Sequence, residues 1–457
     1  MKNFITILIL SITLINCDSV DKGTDESIFF GGQIVNPKAK YVVLMKSEQS
    51  LDTIPILTNN TFSKKFNSLP EGLYSFKHGP EFQHIYFEKN DSISIRLNTW
   101  DFDESLVFSG KGAEKNNFII TLYLQNEKNE RKFSPYYNLK PNEFIKKLDI
   151  IENINEHLYS QLQNSGVKLT SKFQDLAKVA ISFPAYRQKE SYPFIHKNRF
   201  QLDSLPLLPE NYYDHRKGID INNKDLIDYY PFNNYVRNYL YSIAYKDKSV
   251  ESNFTEKILN VIAANIKVDG FKNQLLYQAI YNDFRENYNS CSINKKALNL
   301  FNKHCSNKAF INQINALADD CDILELKKPI DNFELARFNN SKVDLKSIIK
   351  NKKAVIYFWS PEIMNQDMLI KRVKRLKEKY PTLLFVGVNM RPKFNDTKIY
   401  KSLDNQFILT KESAANKFLK SHEPRTILVD KNGIISNSFT YLSSQHLEKQ
   451  LGSLEEL

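Results

Sequence analysis

Residues 354–366 read Ala-Val-Ile-Tyr-Phe-Trp-Ser-Pro-Glu-Ile-Met-Asn-Gln. The first five are apolar and mostly β-branched or aromatic, which predicts a strand buried on both faces. Apolar residues then recur every three or four positions over 368–380, the spacing of an amphipathic helix. A buried strand that leads into a helix indicates an α/β domain.

The sequence beyond this helix continues to alternate apolar runs with amphipathic stretches. It predicts strands at 383–388, 426–429 and 434–435 and helices at 414–420 and 445–451. Asn432-Gly433 lies between the last two strands, and Asn-Gly is a strong signal for a hairpin turn. The order of elements predicts a compact α/β layout with a mixed sheet.

The segment 325–457 resembles the thioredoxin-like thiol–disulfide oxidoreductases of the TlpA and ResA type. Redox-active members of that family read Phe-Trp-Ala-Ser-Trp-Cys-x-x-Cys where this chain has residues 358–366. The degenerate active-site positions of this chain are Trp359, Pro361, Glu362, Ile363 and Gln366. The alignment needs no gap, and the resemblance implies a thioredoxin-like domain without its cysteine pair.

The missing cysteines remove the family's chemistry. Ile363 stands at the position of the attacking cysteine and Gln366 at that of the resolving cysteine. Disulfide exchange needs a thiolate, which isoleucine cannot supply, and glutamine cannot resolve a mixed disulfide. Peroxidase chemistry also needs a thiolate near the start of this helix. The domain is therefore predicted to have no redox activity at this position.

Glu423, Pro424 and Arg425 open a segment that matches the family's x-Pro-x-Thr-x-x-x-Asp-x-x-Gly pattern. The resemblance implies that Pro424 is cis and that these residues line a binding groove. In active relatives the residue before this proline, here Glu423, pairs its backbone with an extended peptide. A groove without thiols would still bind peptides through main-chain pairing, or it is an inert scaffold; both interpretations stay open.

The remainder of the chain divides by pattern into a β-rich and a helical part. Residues 28–113 carry period-2 alternation and frequent turn residues, among which we place Gly31-Gly32, and they predict a small antiparallel β-sandwich. This part resembles the β domain that often precedes thioredoxin folds in Gram-negative lipoproteins. Residues 114–325 read as helical. The fold class is multidomain α+β, with the thioredoxin-like α/β domain at 326–457.

The first residues predict export and lipid anchoring. A lysine precedes a short apolar run that ends at Cys17, the layout of a secretory signal. Residues 14–17 (Leu-Ile-Asn-Cys) resemble a bacterial lipobox, which implies a signal peptide at 1–17 and acylation of Cys17. Residues 18–27 are polar and predict a tether. The expected location is the bacterial cell envelope, facing the periplasm from the outer or inner membrane, with the membrane reached through the lipid.

The other cysteines and the charge carry weaker signals. Cys291 and Cys305 could form a disulfide in an oxidising compartment, and Cys321 would then be left without a partner. No metal-ligand spacing occurs in the sequence, and we expect no cofactor. The net charge of +11 is spread along the chain, so basic clusters are interpreted as solvated helix faces and no nucleic acid is expected as a partner.

Two hypotheses therefore lead. The first is an envelope lipoprotein whose redox-inactive thioredoxin-like domain binds a peptide or a partner protein in the groove. The alternative is an enzyme, a thiol–disulfide oxidoreductase involved in cell redox homeostasis that uses cysteines outside the motif. Nucleic-acid or surface binding through the positive charge ranks third and would show as strong salt dependence.

Overall fold

The protein was analysed as a computed structural model, which mixes helices with several sheets. The residues it describes are 27–47, 49–246, 253–286, 294–391 and 397–456. Two compact units divide the chain: residues up to 219 with 223–236, and residues 220–222 with 237 onward. Within the described ranges, none of the helices has both the length and the apolar character needed to cross a membrane. The predicted signal peptide and Cys17 lie outside the described residues.

The first unit opens with two four-stranded sheets that share one hydrophobic core. Its strands are β1 (Ile28–Val35), β2 (Tyr41–Lys46), β3 (Gln49–Pro55), β4 (Thr61–Phe66), β5 (Gly72–His78), β6 (Glu81–Phe87), β7 (Ser92–Asn98) and β8 (Val107–Lys111). The strand orders are β4-β1-β7-β8 and β3-β2-β5-β6. Pairing is antiparallel except between β1 and β7, which run parallel, so the expectation of purely antiparallel pairing was wrong.

Gly31 and Gly32 lie inside β1 and do not form the predicted turn. Gly32 has a φ of +152°, and a Cβ at this position would lie 2.1 Å from the carbonyl oxygen of Ile95. Only glycine permits so close an approach of two backbones. Gly32 therefore marks the close contact between β1 and β7, which a local turn pattern cannot reveal.

The helices of the first unit are α1 (Ala113–Arg131), α2 (Pro141–Asn164), α3 (Ser171–Phe200) and the beginning of α4 (Tyr230–Lys246). Of these, α1 packs on this core, while α2 and α3 share a second hydrophobic cluster. Phe144 and Leu148 of α2 are fully buried, as the helical spacing predicts. The division between the units falls within α4, after Val236.

Two buried titratable groups in the first unit respond to pH in opposite directions. Burial raises the pKa of Asp91 to about 6; the hydrogen bond from the Glu88 amide, Lys115 and Lys111 oppose this shift, while the Glu88 carboxylate adds to it. Burial lowers the pKa of His84 to about 4. The Asp91 carboxylate accepts the hydrogen bond from the Glu88 amide at 2.7 Å, which favours its charged form.

The Asp91→Asn variant should therefore change how stability depends on pH. The folded state binds the Asp91 proton more tightly than the unfolded state does, so this group's contribution falls as pH rises from about 4 to about 6. His84 contributes in the opposite sense over the same window. Denaturant unfolding should show the wild type losing about 2–3 kcal/mol relative to Asp91→Asn between pH 4 and pH 7. Equal pH slopes in the two proteins would contradict this assignment.

The second unit combines helices with a seven-stranded mixed sheet. Its helices are α5 (Phe254–Asn265), α6 (Asp269–Glu286), α7 (Lys295–His304), α8 (Lys308–Ile323), α9 (Leu345–Ile348), α10 (Gln366–Lys379), α11 (Thr397–Ser402) and α12 (Leu447–Glu456). Its strands are β9 (Glu334–Ala336), β10 (Lys342–Asp344), β11 (Ala354–Trp359), β12 (Leu384–Asn389), β13 (Gln406–Leu409), β14 (Arg425–Val429) and β15 (Ile435–Thr440).

The strand β11 lies inside this sheet, whose order is β10-β9-β13-β12-β11-β14-β15. It runs parallel to β12 and antiparallel to β14. Ile356 and Phe358 belong to one hydrophobic cluster, and Val355, Tyr357 and Trp359 to the other. The predicted burial of this strand on both faces is thus confirmed, and so is the hairpin that joins β14 to β15. The helix expected at 414–420 is a 3-10 helix, Ala414–Phe418.

Candidate functional site

A cavity of about 260 Å³ opens where the chain leaves β11 and approaches α10. Its lining residues are Phe358, Trp359, Ser360, Ile363, Met364, Asn365, Met368, Pro424, Arg425, Thr426, Tyr441, Leu442 and Ser443. The cavity lies wholly within the second unit. Some of the site residues predicted from the sequence line this cavity, namely Trp359, Ile363, Pro424 and Arg425. The other predicted residues do not line it: Pro361, Glu362, Gln366 and Glu423.

The mouth of the cavity exposes apolar side chains. Ile363 is 52% exposed and Met368 is 68% exposed, although both line the cavity. Exposed apolar side chains around a concave apolar surface typically mark a place where a ligand or partner is bound. Ile363 therefore forms part of an apolar rim.

Trp359 supplies a polar group to this otherwise apolar site. Its side chain is 1% exposed, and its indole Nε1–H has no hydrogen-bond acceptor among the described residues. A buried donor without an acceptor costs about 1–3 kcal/mol, so native proteins seldom keep one.

The turn between β11 and α10 places Ile363 ahead of the helix. The carbonyl oxygen of Ser360 accepts hydrogen bonds from the amides of Ile363 and Met364, at 3.1 and 3.0 Å. The helix begins at Gln366, with the Asn365 side chain as its N-cap. Ile363 thus lies three positions ahead of the first helical residue, outside the first turn, where a helix favours a thiolate.

Glu362 has a structural partner outside the cavity. Its carboxylate forms an ion pair of 2.7 Å with Arg391, and both side chains are close to half exposed. An exposed pair of this kind contributes little to stability.

The loop that precedes β14 is held by a buried carboxylate on α8. Asp320 is 1% exposed. It accepts hydrogen bonds from the amides of Lys420 and Ser421, at 2.7 and 2.9 Å, and from the Ser421 hydroxyl at 2.6 Å. The Glu423 amide in turn donates to the Ser421 hydroxyl oxygen at 3.3 Å. These backbone N–H groups are thus used within the protein.

The Glu423 side chain points to the helices of the second unit. The phenol of Tyr281 donates to its carboxylate at 3.1 Å, and the amide of Gln313 donates at 3.4 Å. Burial, together with this carboxylate, raises the pKa of Tyr281 to about 12. The resemblance placed Glu423 in the binding groove, but its carboxylate is engaged from α6 and α8.

Arg425 lines the cavity, yet its guanidinium has a structural role. The side chain is 2% exposed and donates to the carbonyl oxygens of Asp320 and Phe418, at 3.1 and 3.0 Å. Burial lowers the pKa of Arg425 to about 10, while the Asp320 carboxylate opposes this shift. The backbone carbonyl of Asp320 thus accepts from Arg425, while its carboxylate accepts from Lys420 and Ser421, so this one residue holds both the loop and the start of β14.

Two expectations about this region were wrong. The described residues contain no cis peptide bond, so the Glu423–Pro424 bond is trans. The trans form is the lower in energy for an X-Pro bond unless the surroundings impose the other, and here Asp320, Tyr281 and Gln313 fix the flanking residues. Cys305 is a free, buried thiol, so it does not pair with Cys291, which lies outside the described residues.

The cysteines of the helical region offer no activated thiol in the described ranges. Burial raises the pKa of the Cys305 thiol, which lowers its thiolate fraction and hence its reactivity. Cys321 takes part in a disulfide bond. The described residues also hold no group of three or more His, Cys, Asp or Glu side chains that could bind a metal.

A second, more polar cavity of about 490 Å³ adjoins the first. Its lining residues are Asn282, Arg285, Tyr441, Ser443, Ser444, Gln445 and His446. Tyr441 and Ser443 line both cavities. The sequence did not predict this second cavity, because Asn282 and Arg285 lie far from residues 358–366 in sequence and belong to no recognisable motif.

Comparisons with known proteins give limited likenesses. No protein-family model matches the chain, and no curated protein matches it. The thioredoxin domain of a thiol-disulfide oxidoreductase from Bacteroides vulgatus is 21% identical, with a TM-score of 0.23, over 29% of this chain and 97% of that one. A thiol:disulfide interchange protein from Bacteroides sp. is 24% identical, with a TM-score of 0.21, over 25% and 80%.

Proposed function

We propose that the protein is an envelope lipoprotein whose thioredoxin-like C-terminal domain binds an extended peptide segment of a partner and does not exchange disulfides. The observation that carries the proposal is the cavity beside Ile363, the position that the resemblance aligns with the attacking cysteine of redox-active relatives. None of its lining residues is a cysteine, and two exposed apolar side chains, Ile363 and Met368, form its rim.

The cavity favours recognition through an inserted side chain. Its volume of about 260 Å³ lies just below the range of about 300–1,000 Å³ that is usual for small-molecule sites. A large apolar side chain would fill it. Main-chain pairing at Glu423 would contribute less, because the amides of Lys420, Ser421 and Glu423 already have partners within the protein.

The anchor is a separate part of the proposal. Cys17 would carry the acyl chains that hold the protein on the membrane, and residues 18–27 would act as its tether. Incorporation of labelled palmitate that is lost in the Cys17→Ser variant would support this. Equal labelling of the two proteins would contradict it.

The binding proposal can be tested with the protein's own tryptophan. The sequence contains only two, Trp100 and Trp359, and Trp100 is 75% exposed. In a Trp100→Phe background, emission reports on the cavity. Peptides with a central Phe, Leu or Met should shift this emission saturably, whereas the matched central-Ala peptide should not. A Leu207→Glu control, which changes an exposed apolar residue elsewhere, should bind as the parent does. No response to any peptide would overturn the proposal.

The alternative, an oxidoreductase that uses cysteines outside the motif, is favoured only by the disulfide at Cys321. Insulin reduction distinguishes the two functions. We expect no turnover above that of a Cys305→Ser variant, because the buried Cys305 thiol has a raised pKa. Turnover that Cys→Ser substitution abolishes would favour the enzyme.

A further inference from the structure

We propose that the recognised peptide carries an acidic side chain next to its apolar anchor, and that Arg285 binds this carboxylate. The inference deepens the proposed function and rests on it. The anchor would enter the apolar cavity at Trp359, and the carboxylate would enter the adjoining polar cavity at Arg285.

The continuity of the two cavities is the first argument. Tyr441 and Ser443 line both, so one bound chain can occupy both without leaving the surface. An extended peptide advances about 3.3 Å per residue, which places the next few residues of the ligand at the polar cavity when an anchor fills the apolar one.

The chemistry of the second cavity is the next argument. Its lining offers hydrogen-bond donors from Asn282, Ser444 and Gln445, and a fixed positive charge from Arg285, with no acidic residue. Arg285 is exposed and has no acidic partner in the part of the chain that the structure describes. A guanidinium matches a carboxylate in two parallel hydrogen bonds, so this lining is complementary to an acidic group.

Tyr441 and Glu423 affect the electrostatic potential at the second cavity. Burial raises the pKa of Tyr441, and the Tyr281 phenol and the Glu423 carboxylate act in the same direction, so the Tyr441 phenol stays neutral and can donate. Glu423 is the negative group that acts on Tyr441, and its own carboxylate is already bound by Tyr281 and Gln313. Arg285 therefore remains the charged group of the lining that can meet a ligand.

The test uses capped hexapeptides with one Phe and with Asp placed one, two or three positions after it. Each has an Asn counterpart, and a further peptide has a free C-terminal carboxylate but no Asp. Binding is followed through Trp359 emission in the Trp100→Phe protein. The variant is Arg285→Gln. Its matched control is Arg96→Gln, which removes an exposed arginine from β7 in the first unit and changes the net charge equally.

We expect the best Asp peptide to bind about tenfold more tightly than its Asn counterpart at low salt, as for hydrogen bonds to charged groups. Arg285→Gln should abolish this preference, Arg96→Gln should keep it, and raised salt should reduce it. Equal binding of Asp and Asn peptides, or a preference that survives Arg285→Gln, overturns the inference. A preference for the free C-terminal carboxylate also overturns it and identifies that group as the ligand.

Failure of the inference can be distinguished from failure of the proposed function. If Phe-containing peptides bind and Ala-containing ones do not, but Asp gives no advantage, the cavity proposal stands and the acidic contact is wrong. If no peptide binds at all, both are wrong.

Discussion

Replacement of Asp320 by alanine is expected to lower the free energy of unfolding of the second unit by about 3–5 kcal/mol, because it removes a buried hydrogen-bonded carboxylate and leaves its donors without an acceptor. The carboxylate accepts three hydrogen bonds from Lys420 and Ser421. Its loss leaves two loop amides without their acceptor, each at about 1–3 kcal/mol if it stays buried. It also leaves the guanidinium of Arg425 buried without its counter-charge.

The adjacent residue supplies a matched control. Asp319 is exposed and forms a surface ion pair of 3.0 Å with Lys420, so Asp319→Ala should cost less than about 1 kcal/mol. Denaturant unfolding measures both variants. Hydrogen exchange gives a local readout, because the amides of Lys420 and Ser421 should lose protection in Asp320→Ala alone. Similar stability of the two variants would show that the buried carboxylate does not hold the loop.

The parts of the fold that sequence predicts well are those decided locally. The strand at 354–358 and the helix after it follow from apolar spacing, which reflects burial within the same element. The hairpin at Asn432-Gly433 follows from the left-handed conformation that glycine adopts, with a φ of +76° at Gly433. Each of these predictions depends only on residues inside the predicted element itself.

The parts that sequence could not predict depend on long-range contacts. Asp320 binds the Lys420 amide 100 positions away, and Tyr281 binds Glu423 at a separation of 142. The family pattern around Pro424 contains no information about α6 and α8, which supply these contacts. It therefore implied a cis bond at Pro424 and backbone groups available for pairing, and the structure has neither. Gly32 was also not predictable from its neighbours in sequence. A glycine is needed there because β1 pairs with β7 and brings the Ile95 backbone close to it.

The pairing of the cysteines could not be predicted from the sequence either. A separation of 14 residues makes Cys291 and Cys305 plausible partners in sequence. In the structure, Cys305 is instead a buried free thiol, and Cys321 takes part in a disulfide bond. Spacing fixes which cysteines can approach each other, but packing decides which of them do.

Met368→Glu is expected to weaken binding of the apolar peptide by about 100-fold, because a carboxylate at the cavity mouth must either be desolvated by the ligand or hold water where the ligand should lie. Met368 lines the cavity and is 68% exposed, so the free protein tolerates the charge. The Asn form of the peptide is used for this measurement, which keeps ligand charge out of the comparison.

The same substitution should leave the fold intact or slightly more stable. Met368 is the third residue of α10, and its amide donates to the Asn365 side chain at 3.4 Å. A glutamate here can return a hydrogen bond to the N-cap amide and interacts favourably with the helix N-terminus. Met368→Leu, which conserves volume and apolar character, should bind within about threefold of the parent. Loss of binding with an unchanged melting temperature would place recognition at the cavity mouth, whereas full affinity in Met368→Glu would place it elsewhere.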